Sequence, residues 1–230
     1  MAIWADIDAE YQFEFEKWHN CEHMRDRVTI PGFLVGFRYQ GIGATPYSLM
    51  AYETEDPKVL ESEAYLRSKN NPSPWTQKAL THFRHTERLI YSLKGTVGRR
   101  PALQAPYLYN LRFNVQVKDE RKAVAVIRKG FLAAVTTAPG VARARFYRVD
   151  EKISGMVTTE QKIYGDGPAL KRRFLIMAEM TSPPWPQEGV WRNFCGRATD
   201  VPRTPELLDV GEERYWLRFV MQPPDGHDGD

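Results

Sequence analysis

The chain has 230 residues, 42% of them hydrophobic and 12% aromatic, which is enough for one large or two small domains with a sizeable core. A formal net charge of +3, with no dense Lys/Arg run interleaved with aromatics, argues against nucleic acid or an anionic membrane surface as a partner. No apolar run approaches the ~20 residues of a membrane span, the N-terminus lacks a basic-then-apolar signal segment, and the two cysteines, Cys21 and Cys195, allow one disulfide but no framework; these absences point to a soluble, reduced, cytoplasmic protein.

Ala2 to Ile7 reads as a first strand, and Asp8 is placed to cap the helix that follows. That helix puts Tyr11, Phe15, Trp18 and Glu22 on one side and Glu16, His19, Asn20, His23 and Arg27 on another. Pro31-Gly32 breaks the helical period. Phe33, Val35, Phe37 and Tyr39 then alternate with Leu34, Gly36, Arg38 and Gln40, the period of a strand. Gly41 to Pro46 is a turn, Tyr47 to Glu53 a third strand, and Pro57 opens a short helix over about Lys58 to Ala64. Asn71 to Trp75 reads as loop, Thr76 to Phe83 as a helical turn and His85 to Leu93 as a fourth strand. The order β-α-β-β-α-β is that of the ferredoxin-like unit.

Residues 95–106, with Gly95, Gly98, Pro101 and Pro106, read as a linker between a first unit at 1–94 and a second at 107–222. Tyr107 to Val117 is strand-like and Lys118 to Val135 helical. Pro139-Gly140-Val141 echoes Pro31-Gly32-Phe33, and Arg145-Phe146-Tyr147 echoes Phe37-Arg38-Tyr39; 139 − 31 and 147 − 39 both give 108. A constant offset argues for an internal duplication. The second unit diverges: Asp150 to Lys171 predicts an extended hairpin, Phe174 to Met180 a strand, Pro183 to Pro186 and Val190 to Arg197 the second helical region, Arg214 to Met221 a last strand, and 223–230 a disordered tail. Two such sheets, each covered by helices on one face, would bury their open faces against each other. The expected fold is therefore α+β: two ferredoxin-like repeats packed sheet to sheet as an intrachain α/β barrel around a central cavity.

Phe15, Trp18, Glu22-His23, Arg27, Pro31-Gly32-Phe33 and Arg38-Tyr39 together resemble the dimeric α/β-barrel superfamily, especially its EthD-related members, here as a tandem duplication in one chain. The pattern covers about 27 residues. It implies a ligand pocket between sheet and helices or within the barrel, with a histidine, His23 here, beside it. The second unit has Arg128-Lys129-Gly130-Phe131 where the Trp and Glu-His elements would fall, so the first unit is expected to carry the site.

His23 is the leading acid/base candidate, because imidazole exchanges protons near neutrality without a cofactor. Arg38 and Tyr39 face opposite sides of one strand, so one of them can place a developing oxyanion. Trp18, Phe33, Tyr47, Trp75 and Tyr91 are candidates for an aromatic-accepting wall, with His19 and His85 at its edge; the same aromatics also suit plain core. His19-x-x-Glu22-His23 matches an inverted zinc-hydrolase spacing, but that chemistry needs a third protein ligand in a large scaffold, which this length and element order do not suggest. His82-x-x-His85 is a second close pair suited to a solvated edge. No metal and no cofactor are expected. The chain is expected to be a small-molecule enzyme: an acid/base isomerase, cyclase or lyase on an aromatic, lactone or polyketide-like carbonyl compound. A non-catalytic ligand binder and a cofactor-free monooxygenase are the alternatives, and homodimerisation stays open.

Overall fold

The computed structural model describes residues 1–43, 45–99, 105–165, 172–183 and 206–224. It is an α+β fold with one nine-stranded sheet in which every pair of neighbours is antiparallel. The strands are β1 (Ala2–Ile7), β2 (Phe33–Gly41), β3 (Ser48–Thr54), β4 (Phe83–Leu89), β5 (Tyr91–Gly98), β6 (Tyr107–Asn114), β7 (Val141–Val149), β8 (Phe174–Met180) and β9 (Leu208–Met221). Their order across the sheet is β4-β1-β3-β2-β9-β6-β8-β7-β5. The two ends of that order, β4 and β5, are consecutive in the chain and separated only by Ile90. The single fourth strand expected from His85 to Leu93 is thus two: β4 starts two residues before His85, and β5 runs through four residues of the expected linker. β9 is long in the same way, pairing with β6 through its first part and with β2 through its last.

The first helix is split. Helix α1 (Gln12–Trp18) passes through a π-helical turn, His19–His23, into α2 (Met24–Val28). The extra residue of a π turn sets the following helix back by about 100°, one residue of rotation. His23 and Arg27 are thereby carried onto the buried side with Phe15 and Trp18, not onto a separate face as regular spacing predicts. Glu22 accepts hydrogen bonds from Ser73 Oγ at 2.6 Å and Thr76 Oγ1 at 3.0 Å. Asp8 makes no side-chain cap; its carboxylate takes His82 Nδ1 and Arg84 instead. A 3-10 turn, Pro57–Glu61, precedes α3 (Glu63–Asn70), and α4 (Pro74–Leu80) begins inside the stretch expected as loop, because Ser73 accepts from Thr76 N and Pro74 fits the first turn.

The second half repeats this plan in register. Helices α5 (Glu120–Val126) and α6 (Leu132–Val135) flank another π turn, Ile127–Phe131. The π turns start at 19 and 127 and strands β2 and β7 at 33 and 141, all 108 apart. Gly32 and Gly140 carry φ of 90° and 80°, so the turn into each of these strands needs glycine. Strands β3 and β8 are 126 apart, which leaves 18 extra residues before β8. These hold α7 (Glu151–Ser154) and α8 (Thr159–Tyr164), where an extended hairpin was expected. The predicted second helical region from residue 184 and the tail from residue 225 lie outside the described residues, as does Cys195.

Three apolar clusters follow from this layering. One joins the α1–α2 helix to the first half of the sheet through Phe15, Trp18, Met24 and Phe33. A second does the same for the other half through Phe113, Ile127, Phe131 and Phe146. The third takes the opposite sheet face of both halves, with Trp4, Phe37, Tyr39, Tyr91, Met177 and Tyr215. Among the described residues no helix is long and apolar enough to cross a membrane.

Candidate functional site

The π turn brings His19, His23 and Arg27 under the sheet, all buried. The imidazole of His23 lies 4.4 Å, centroid to centroid, from Trp18 and 5.7 Å from that of His19. His19 Nε2 meets the Tyr52 hydroxyl at 3.2 Å, and Trp18 Nε1 donates to Thr76 Oγ1 at 3.1 Å. Beside His23 a small void of about 20 Å³ is lined by Trp18, Arg27, Tyr65, Lys69, Arg88 and Tyr164, among others. Helix α8 closes it. Its Glu160 is buried and pairs with Arg27 and, at 2.6 Å, with Lys69 Nζ. Arg88 donates to the Tyr65 hydroxyl at 3.0 Å.

Two cations, Arg27 and Lys69, thus share one carboxylate. Burial raises the Glu160 carboxyl, but Lys69 and Arg27, through charge and hydrogen bonds, hold it below its ordinary range. Burial pushes His23 well below the usual histidine value, and Arg27 and Lys69 push it further. His19 is lowered likewise, by burial first and then by His23, Arg38 and Arg27. Both rings are therefore neutral at pH 7, and His23 presents a lone pair rather than a charge.

The linkage has a definite sign. Above about pH 6.5 both histidines are neutral whether the chain is folded or not, and the stability tied to them is fully present. Below that value the unfolded chain binds protons that the fold refuses, so stability falls with pH at up to ~1.4 kcal/mol per unit for each ring. Thermal melts should drop between pH 7 and 5, and less steeply in His19→Gln and His23→Gln proteins. A melting temperature flat across that range would show that the imidazoles are not held neutral.

The other candidate residues separate by sheet face. Trp18, Phe33 and His19 belong to the cluster around His23, with Tyr47 and Trp75 packed against its margin. Arg38 is on this face too, but Glu16 at 3.0 Å and Asn20 at 3.0 Å engage it and Phe15 packs beneath it. Tyr39 and Tyr91 are on the opposite face. Tyr39 therefore does not meet a molecule held at His23. His85 is exposed, has φ of 50° and pairs with Asp6. His82 stacks on Tyr11 and, with Asp8 and Glu10, forms the one group among the described residues with metal-ligand proximity; His19 and His23 do not form one.

Tyr39 and Tyr91 line a cavity of about 520 Å³ on the face shared by both halves of the chain. Phe37, Tyr147, Leu175 and Met177 complete much of its wall. Arg145 enters it between Glu53 and Glu179, the latter at 2.7 Å.

No protein-family model matches the sequence, and no curated protein does. Solved structures match over almost the whole chain. An anthrone oxidase-like protein is 13% identical with a TM-score of 0.57, covering 97% of this chain and 92% of its own. Two proteins with provisional monooxygenase designations follow. That from Lactobacillus acidophilus is 7% identical at TM-score 0.56, covering 96% of this chain and 94% of its own. That from Fusobacterium nucleatum is 6% identical at TM-score 0.54, covering 96% and 92%. These neighbours belong to the dimeric α/β-barrel fold class. At such identities the likeness concerns fold alone.

The residues that sequence reading missed are Lys69, Arg88 and Glu160. Arg27 was legible as a neighbour of His23 four positions on, but not as part of a charged site. Lys69 sits in a polar helix, and Glu160 lies 133 residues from Arg27 in a stretch with no clear period.

Proposed function

We propose that the chain is a small-molecule enzyme in which two ferredoxin-like repeats, 1–94 and 107–222, descend from a tandem duplication and close sheet to sheet into a barrel. The common 108-residue offset of helices, π turns and strands supports the duplication. The adjacency of β4 and β5 at opposite ends of the strand order supports closure. The EthD-related assignment rests on the sequence pattern, and a cytoplasmic setting on the composition.

The proposed reaction is proton abstraction from carbon next to a carbonyl, on an aromatic, lactone or polyketide-like substrate. The observation that carries it is the neutral, buried imidazole of His23 among Arg27, Lys69 and Arg88. A neutral ring can take the proton, and the cations can hold the enolate oxygen that forms. Arg27 and Lys69 take the oxyanion role expected of Arg38 or Tyr39. About 20 Å³ holds roughly one water, so a substrate enters only if α8 moves. Gly155 and Gly165 flank that element and are suited to hinge it.

A second reading shares this first step. The likeness to an anthrone oxidase-like protein favours cofactor-free oxygenation, in which the carbanion meets dioxygen as co-substrate. One oxygen atom would replace the two hydrogens of a methylene as a new carbonyl, and the other would leave as water.

Incubation in D2O with α-tetralone, a butyrolactone and anthrone, followed by NMR and an oxygen electrode, separates the readings. Deuterium entering the α-carbon without oxygen uptake supports the acid/base enzyme. Oxygen uptake with quinone formation supports the monooxygenase. Neither, on all three compounds, would leave a ligand binder and overturn the proposal.

A further inference from the structure

The 520 Å³ cavity lies across the sheet from His23 and takes no part in the reaction proposed there. Its size falls in the ~300–1,000 Å³ range of small-molecule sites. The void beside His23 is smaller by more than an order of magnitude. We propose that this cavity is a second binding site, for an uncharged, flat, oxygen-bearing aromatic molecule.

The ligand class follows from the wall. Phe37, Tyr91, Tyr147, Leu175 and Met177 offer aromatic and apolar surface to a planar ring system. Burial raises the Tyr39 hydroxyl, and raises that of Tyr147 to about 12, so both are protonated and able to donate to a carbonyl or phenol oxygen. The cation in the wall, Arg145, is already answered. Arg145 is held by Glu53 and Glu179, and Arg143 donates to Glu179 at 2.6 Å. An ionic ligand would have to break these pairs in a half-desolvated space, whereas a neutral one leaves them intact.

Two further observations fit an open site. Leu34 and Leu93 are large apolar side chains left 45% and 54% exposed, and both line the cavity, with Glu55 and Asp56 beside them. They mark a mouth with an apolar lip. The room inside owes much to one small residue. Ala51 pairs with Phe37 in β2–β3, and Met177 pairs with Arg145 at the corresponding place in β7–β8. The second half fills this position with a long side chain and the first leaves it empty.

The probe pair is 2-naphthol, neutral at pH 7, and 2-naphthoate, its anionic counterpart, titrated calorimetrically into the full chain. 2-Naphthol is expected to bind at least tenfold more tightly than 2-naphthoate, and equally well to the His23→Gln protein. Ala51→Phe, which puts a ring into the cavity where the ligand would lie, should weaken 2-naphthol at least tenfold. If that variant does not fold, the Tyr39→Phe/Tyr147→Phe double variant, which keeps the shape and removes both donors, should do the same. No binding of 2-naphthol, tighter binding of 2-naphthoate, loss on His23→Gln, or undiminished binding in whichever of the two variants folds would each overturn the assignment.

Discussion

His23→Gln is expected to lower turnover by about 10²- to 10⁴-fold while the protein keeps its fold. That is the usual contribution of a positioned acid/base, ~3–5 kcal/mol of barrier. Glutamine can fill most of the space and hydrogen-bond there, but it cannot accept the substrate proton. His19 provides the control. It is as deeply buried and also neutral, but it does not line the void, and its Nε2 faces Tyr52. His19→Gln should therefore cost much less activity than His23→Gln. The pH profile supplies an independent readout. Because the folded His23 pKa lies well below 6.5, the base stays competent into mildly acidic solution, and the acidic limb of kcat/KM should fall below pH 6.5. Equal losses from both variants, or an acidic limb near pH 7, would remove His23 from the catalytic role.

How much of this was legible in the sequence depends on the range of the interaction. β1 was found with its observed limits, and β2 and β3 within about a residue or two, because alternation of side chains is local. The Pro-Gly turns were legible because positive φ at Gly32 and Gly140 demands a special residue. The 108-residue offset, read from two short motifs, recurs in the π turns and in the helices around them. The π turns themselves were not legible. One inserted residue leaves no mark on composition, yet it decides that His23 and Arg27 turn inward. Glu160 was missed because nothing local ties it to a site; its partners are on α2 and α3, and it reaches them only because the 18-residue insertion folds back as α7 and α8. Tyr39 and Tyr91 were taken with His23 as one site, although strand parity already placed Arg38 and Tyr39 on different faces. What parity does not give is which face holds a cavity, since that turns on volumes such as that of Ala51.

Glu160→Ala should destabilise the protein by about 3–5 kcal/mol, the usual cost of removing one partner from a buried ion pair. Glu160 is the carboxylate that Arg27 and Lys69 share, and all three side chains are almost fully buried. The two cations would respond differently. Burial already lowers the Lys69 pKa, so without Glu160 the amine can shed its proton and escape part of the penalty. Arg27 has no such escape, because guanidinium stays charged, and it keeps the Ser68 hydroxyl and the Tyr65 ring as uncharged partners. The loss would be a large share of a typical 5–15 kcal/mol of folding free energy. Glu160→Gln keeps an acceptor and should fall between the two. The exposed pair Glu63–Arg67 sets the contrast: Glu63→Ala should cost under about 0.5 kcal/mol, because water screens it. Urea unfolding of the three variants measures the ordering. The same cut should loosen α8, so that protease nicks the Glu160→Ala chain between Gly155 and Gly165 faster than the parent. A Glu160→Ala protein as stable as Glu63→Ala would mean that α8 is not anchored by this carboxylate, and that the void beside His23 is open more often than its 20 Å³ suggests.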